Sequence, residues 1–112
     1  IYPNGPYQYT RPVVVLINGR SESEAEGFAE KMKQIPTVTL IGDTTAGGGG
    51  QPATFILPSG RQITIPFADI RRYDGQPQEW NGISPSVYVR QTAEDSKAGR
   101  DKQLEYAIQF LR

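Results

Sequence analysis

Ser23 is the candidate nucleophile of this sequence. It lies in PVVVLINGRSESEAE, Pro12 to Glu26, where an apolar run passes through Asn18-Gly19 into a segment of helical periodicity. A hydroxyl at such a junction sits beside the first backbone N–H groups of a helix, which have no intrahelical partner and together carry roughly half a positive charge. An oxygen attacking a carbonyl there has donors at hand for the oxyanion, the Glu24 N–H first among them. The same residues also read as ordinary helix starts. Ser21 with Glu24, and Ser23 with Glu26, each spell the S-x-x-E capping box.

Composition narrows what else the chain could do. At 112 residues it is one domain's worth of polypeptide. Twelve Lys and Arg balance twelve Asp and Glu, so no net field recruits nucleic acid or an anionic membrane. Without cysteine there is no disulfide framework, thiolate nucleophile or Cys-based metal site, and no cofactor or metal is expected. Without histidine, the commonest general base is missing from any mechanism completed within these residues. No apolar run approaches the roughly twenty residues that cross a bilayer, and no signal-peptide pattern opens the chain. A start at Ile1, with the single methionine at position 32, is expected of a piece of a longer protein.

The elements that must position Ser23 follow from periodicity. Residues 1–11 mix Pro, Gly and Tyr and read as an irregular lead-in. The run Val13 to Ile17 predicts a strand covered on both faces, typical of the centre of an α/β sheet. Ala25, Phe28, Ala29, Met32 and Ile35 recur at helical spacing and Pro36 ends the segment. Residues 37–42, TVTLIG, give a second strand, hence a parallel β-α-β unit. DTTAGGGG, Asp43 to Gly50, then falls where that strand ends, near the end of the first; no Lys follows its glycines, so it is not a phosphate loop. Residues 53–57 and 61–67 predict a hairpin about Pro58-Ser59-Gly60. Ala68 to Tyr73 predicts a further strand and Val87 to Arg90 a last one. After the polar stretch Thr92–Arg100, Asp101 caps a closing helix with the apolar stripe Leu104, Ala107, Ile108 and Leu111, expected to pack on the sheet.

In order, VVVLINGRSESEAEGFA, LIGDTTAGGGG, LPSGRQITIP, DGQPQEWNGISPSVYV and AGRDKQLEYAIQFL resemble, over residues 12–111, the tail-specific, C-terminal processing family of serine peptidases. The resemblance implies an α/β fold of the crotonase-like (ClpP/crotonase) ββα spiral kind, present as a partial domain with a β-hairpin and a C-terminal helix. Residues 12–112 would then be the C-terminal part of a catalytic domain. Aligned on Glu26 and Phe28-Ala29, Ser23 takes the place of the family's nucleophile, and Glu22, Glu24 and Ala25 replace its usual Ala, Ala and Ser. Gly48 stands where bacterial processing peptidases carry their Lys, which excludes a Ser–Lys dyad at that position. The glycine-rich form of the loop resembles the tricorn-like and retinoid-binding-protein-like branch, which implies a His base from an earlier part of the chain. It also implies that Gly47, Gly48 and Gly49 border the substrate and that Glu79, three residues before Gly82, orients the catalytic group; Ser86 replaces the Asp usual after Pro85.

The function so implied is serine endopeptidase action through an acyl-enzyme, on a peptide or protein substrate. The partners are an upstream segment of the same chain and, through an exposed sheet edge, a second copy. The resemblance places such proteins in the periplasm, secreted or lipid-anchored at the bacterial envelope. The segment alone is expected to be inactive. The alternatives are a non-catalytic module of the same fold that holds peptides or apolar ligands, and a structural domain in which Ser21 and Ser23 only cap.

Overall fold

The computed structural model describes residues 5, 6 and 9–112. Of the expected lead-in, residues 1–4, 7 and 8 lie outside the described residues, and residues 9–11 form no helix or strand. The element order is β1 (Val13–Ile17), α1 (Glu24–Lys33), β2 (Val38–Gly42), β3 (Pro52–Ile56), β4 (Gln62–Pro66), β5 (Val87–Tyr88), α2 (Ala93–Lys97) and α3 (Lys102–Phe110). β1, β2 and β5 make one parallel sheet in the order β1-β2-β5, while β3 and β4 pair as a separate antiparallel hairpin.

The parallel unit places the site. β1 pairs with β2 in a register that sets Ile17 opposite Gly42, so the loops leaving both strands start side by side. Only glycine fits at that exit, because a Cβ on Gly42 would lie 2.0 Å from the Ile17 carbonyl oxygen, on a backbone with φ +134°. Ile17, Ala29, Leu40 and Ile83 form the buried core, with Val15, Met32 and Val38 packed against it. Pro36, after the C-terminus of α1, prevents the helix from continuing toward β2.

The structure corrects several expectations. β1 is an edge strand, half-buried with Leu16 39% exposed, and the sheet's centre is β2, whose Leu40 and Ile41 are fully buried. An apolar run reports that a strand's faces want cover, not its place across the sheet or whether this chain supplies that cover. Ala68–Tyr73 forms no strand: only the isolated bridge Arg71–Pro77 appears there, and Arg71 pairs with Asp69 at 2.6 Å while Arg72 pairs with Asp74. The last strand is confined to Val87–Tyr88, and the polar stretch after it contains the short helix α2. The stripe on α3 is offset, since Gln103 and Ala107 are buried while Leu104, Ile108 and Leu111 are almost half exposed. On α1, Phe28 is likewise 55% exposed.

The hairpin keeps its apolar side chains in solvent: Phe55, Ile56, Ile63, Ile65 and Phe67 are all exposed. The chain exposes 8508 Å², against about 6,100 Å² for a compact monomer of its mass. Its radius of gyration is 17.6 Å, where a compact chain of this length has about 13 Å. This surface is much larger than that of a self-contained domain.

Candidate active site

Ser23 sits at the N-terminus of α1 with its backbone at φ 58°, ψ −121°, a left-handed conformation rare outside glycine. Ala25 N–H donates to the Glu22 carbonyl at 3.2 Å, closing a four-residue turn in which Ser23 takes the first central position of a type II′ turn, where glycine dominates. Holding serine there costs on the order of 1–3 kcal/mol and persists only if surrounding bonds over-determine it. The residue is exposed, and although Ser23 and Glu26 face each other as a capping box, the hydroxyl makes no full hydrogen bond to the helix, the Glu26 N–H donating to the Ser23 carbonyl at 2.9 Å. The strand-to-helix turn therefore presents the hydroxyl to solvent on a strained backbone, without a full bond to the donors of the helix start.

Glu26 is what holds the turn. It is completely buried, and its carboxylate accepts five hydrogen bonds. Oε2 takes the Ser23 N–H at 3.0 Å, the Gly48 N–H at 2.9 Å and the Gln78 amide at 3.4 Å. Oε1 takes the Thr45 hydroxyl at 2.5 Å and the Gly47 N–H at 2.8 Å. A buried carboxylate is tolerable because donors surround it. In return it ties the Ser23 turn to the loop after β2, which the Ala46 N–H also joins through the Ser21 carbonyl at 2.9 Å.

Glu79 approaches from the other side, its Oε2 accepting the Gly49 N–H at 2.7 Å. Glu26 thus joins Ser23 to Gly47 and Gly48, and Glu79 meets the same loop one residue further on, at Gly49. The N–H groups of Gly47, Gly48 and Gly49 are already engaged by carboxylates, so these three glycines offer no free donors to an oxyanion. Their lack of side chains serves close packing: a Cβ on Gly49 would lie 2.9 Å from Gln78 Cβ, and one on Gly48 would lie 2.6 Å from the Glu22 side chain. The Glu24 N–H, by contrast, donates to no protein group among the described residues.

A cavity of about 340 Å³ opens beside Ser23, between α1 and the segment after the hairpin, bounded by Glu24, Gly27, Lys31, Ile70 and Tyr73 among others. Its wall is pinned by the Tyr73 N–H on Glu30 at 2.7 Å and by Arg72 on the Gly82 carbonyl at 2.8 Å. The hydrogen-bonded ion pair holds the Arg72 guanidinium above its ordinary pKa and the Asp74 carboxyl, which also accepts the Gln76 N–H, below its own. Among the described residues no group of His, Cys, Asp or Glu is arranged to hold a metal ion.

The capping-box spacing picked out Glu26 but gave no sign of its burial. Thr45, which also accepts the Ile83 N–H at 2.6 Å, and Gln78 carried no recognisable signal in sequence.

The sequence model "Peptidase family S41" matches residues 2–89. The carboxy-terminal processing protease CtpA of Bacillus subtilis is 33% identical over 78 residues, covering 70% of this chain and 17% of that protein. Tricorn protease homolog 1 of Streptomyces coelicolor is 34% identical over 99 residues, covering 87% of this chain and 9% of that protein. Among solved structures, a chain from Parabacteroides merdae superposes with a TM-score of 0.83 at 37% identity, over 97% of this chain and 34% of that one. Mature CPAF complexed with lactacystin superposes with a TM-score of 0.80 at 27% identity, over 96% of this chain and 21% of that one. The chain therefore spans between 9% and 34% of the length of these relatives.

Proposed function

Because the chain belongs to peptidase family S41, we propose that it is the nucleophile-bearing part of a serine endopeptidase and that its sheet and hairpin belong to a crotonase-like ββα spiral. Ser23 Oγ attacks the peptide carbonyl carbon and its proton passes to a general base. The base then protonates the amine as the C–N bond breaks, and water hydrolyses the acyl-enzyme. The chain has no histidine, and its resemblance to the tricorn-like branch makes the base a histidine supplied by an upstream segment. The Glu24 N–H is one oxyanion donor, and the same segment supplies a second. Glu79 keeps one carboxylate oxygen beyond its bond to Gly49, with which it orients the polar network.

The observation that carries this reading is the strained backbone of Ser23 beneath an exposed hydroxyl that makes no full cap bond. A serine that served only to start a helix would gain nothing from that conformation. Glu22 and Glu24 flank it, but both are exposed. A unit charge about 6 Å away in water-like surroundings opposes an oxyanion by only about 0.7 kcal/mol, whereas one oxyanion donor is worth roughly 2.7–4 kcal/mol. These carboxylates weaken the site without overruling it, and they are what favours the second reading, a non-catalytic peptide-binding module. The apolar surface left exposed on the hairpin and α3 supports completion of the site by further polypeptide.

The test is labelling of the whole protein by a serine-directed phosphonate. Labelling that disappears in Ser23→Ala is the expected result, and label that persists on another serine in that variant removes Ser23 from the mechanism. The isolated chain is expected to hydrolyse nothing detectable.

A further inference from the structure

Trp80 is the only tryptophan in the chain, and it is 90% exposed. Its backbone is nevertheless fixed in the left-handed region at φ 66°, where a bulky residue is a genuine outlier. The turn around it is closed by the Asn81 N–H on the Gln78 carbonyl at 3.1 Å and by the Asn81 side-chain amide on the Pro77 carbonyl at 2.8 Å. The Trp80 N–H donates to the Gly47 carbonyl at 2.8 Å. The same turn carries Glu79 on the Gly49 N–H and the buried Gln78 beside Glu26. A rigid turn, held in its strained conformation by bonds to the glycine loop, thus keeps an indole in solvent.

We propose that Trp80 is a substrate-binding residue: its indole is a platform beside the glycine loop on which an apolar or aromatic side chain of an extended peptide packs. An indole offers a large, flat contact area and loses little side-chain freedom, which is why tryptophan anchors interfaces. This subsite is separate from the cavity between α1 and Ile70–Tyr73, whose lining does not include Trp80. The proposal rests on the peptidase reading of Ser23.

In the whole protein, Trp80→Ala should raise KM for peptides bearing an apolar residue at this subsite by about tenfold with kcat little changed. Trp80→Phe should restore most of the affinity, and phosphonate labelling of Ser23 should proceed at the wild-type rate in both variants. The emission difference between wild type and Trp80→Phe isolates this indole, and it should shift to the blue on adding a peptide with a non-cleavable bond. An unchanged KM in Trp80→Ala overturns the proposal. So does an indole emission that is already blue and indifferent to peptide, which would mean that another part of the protein covers it. If phosphonate fails to label wild-type Ser23, the catalytic reading falls instead, and the fluorescence titration still decides whether Trp80 binds peptide.

Discussion

Two helices in this chain begin with the same sequence signature and use it differently. α1 opens with Ser23-Glu24-Ala25-Glu26 and α2 with Thr92-Ala93-Glu94-Asp95, each a hydroxyl residue followed three positions later by an acid. Thr92 has the extended backbone usual for a cap, φ −97° and ψ 164°, and its hydroxyl accepts the Asp95 N–H at 3.2 Å while the Asp95 carboxylate accepts the Thr92 N–H at 3.1 Å. Ser23 keeps that exchange unevenly: Glu26 takes its N–H at 3.0 Å, but its hydroxyl meets the Glu26 N–H without a full hydrogen bond, and that N–H donates to the Ser23 carbonyl at 2.9 Å. The difference lies in where the acid's other bonds go. Asp95, also buried, spends its remaining bond on the nearby Lys102 at 3.0 Å, whereas Glu26 is tied to the distant Thr45, Gly47, Gly48 and Gln78. A cap satisfied locally relaxes, and one recruited by the tertiary structure can hold a strained serine.

Exchanging the roles should fail, and the largest effect is on rate. Ser23→Ala should lower peptide hydrolysis by the whole protein by about a millionfold while leaving its denaturant midpoint unchanged, because no full cap bond is lost. Thr92→Ala should do the reverse, costing about 1 kcal/mol of stability with kcat/KM intact. A Ser23→Ala protein destabilised as much as Thr92→Ala would show that the two hydroxyls do the same job.

Glu26→Ala leaves several donors without a partner inside the protein, at about 1–3 kcal/mol for each buried group. Its expected result is a protein destabilised by several kcal/mol or unable to fold. Glu26→Gln, which keeps the shape and one accepting oxygen, should fold with a lowered midpoint and reduced activity. Asp95→Asn should cost far less, as measured by urea unfolding of the two variants side by side.

Glycine substitutions sharpen the contrast through their sign. Ser23→Gly relieves the positive φ and should stabilise the inactive protein by up to about 1 kcal/mol. Thr92→Gly should destabilise by a few tenths. The smallest effect is on pH dependence. The Thr92 hydroxyl, and after it Lys102, hold the Asp95 carboxyl below its ordinary value of 3.8. A depressed folded pKa contributes stability that is present above 3.8 and lost as pH falls through the folded value. Acidification below about pH 4 should therefore weaken the wild type more than Thr92→Val, as read from urea midpoints at pH 6 and pH 3.

Much of the frame was legible in the residues. Val13–Ile17, the spacing of Ala29 and Met32, and Pro36 announced a parallel β-α-β unit, and Pro58-Ser59-Gly60 announced the hairpin. Asp101 capped α3 as its position predicted, accepting the Leu104 N–H at 2.9 Å. Burial was less legible: Leu104, Ile108 and the hairpin's Ile63 and Ile65 have apolar spacing yet face solvent, because a periodic stripe states which face wants cover and not whether this chain provides it.

Local chemistry thus decided where the helices and strands begin and that a serine stands at the mouth of the first helix, since capping and periodicity act within a few residues. Whether that serine caps or is held free depended on partners of Glu26 that lie 19 to 52 residues further along the chain. Only folding brings those donors to one carboxylate, and a bond between distant residues leaves no mark on the spacing of near ones.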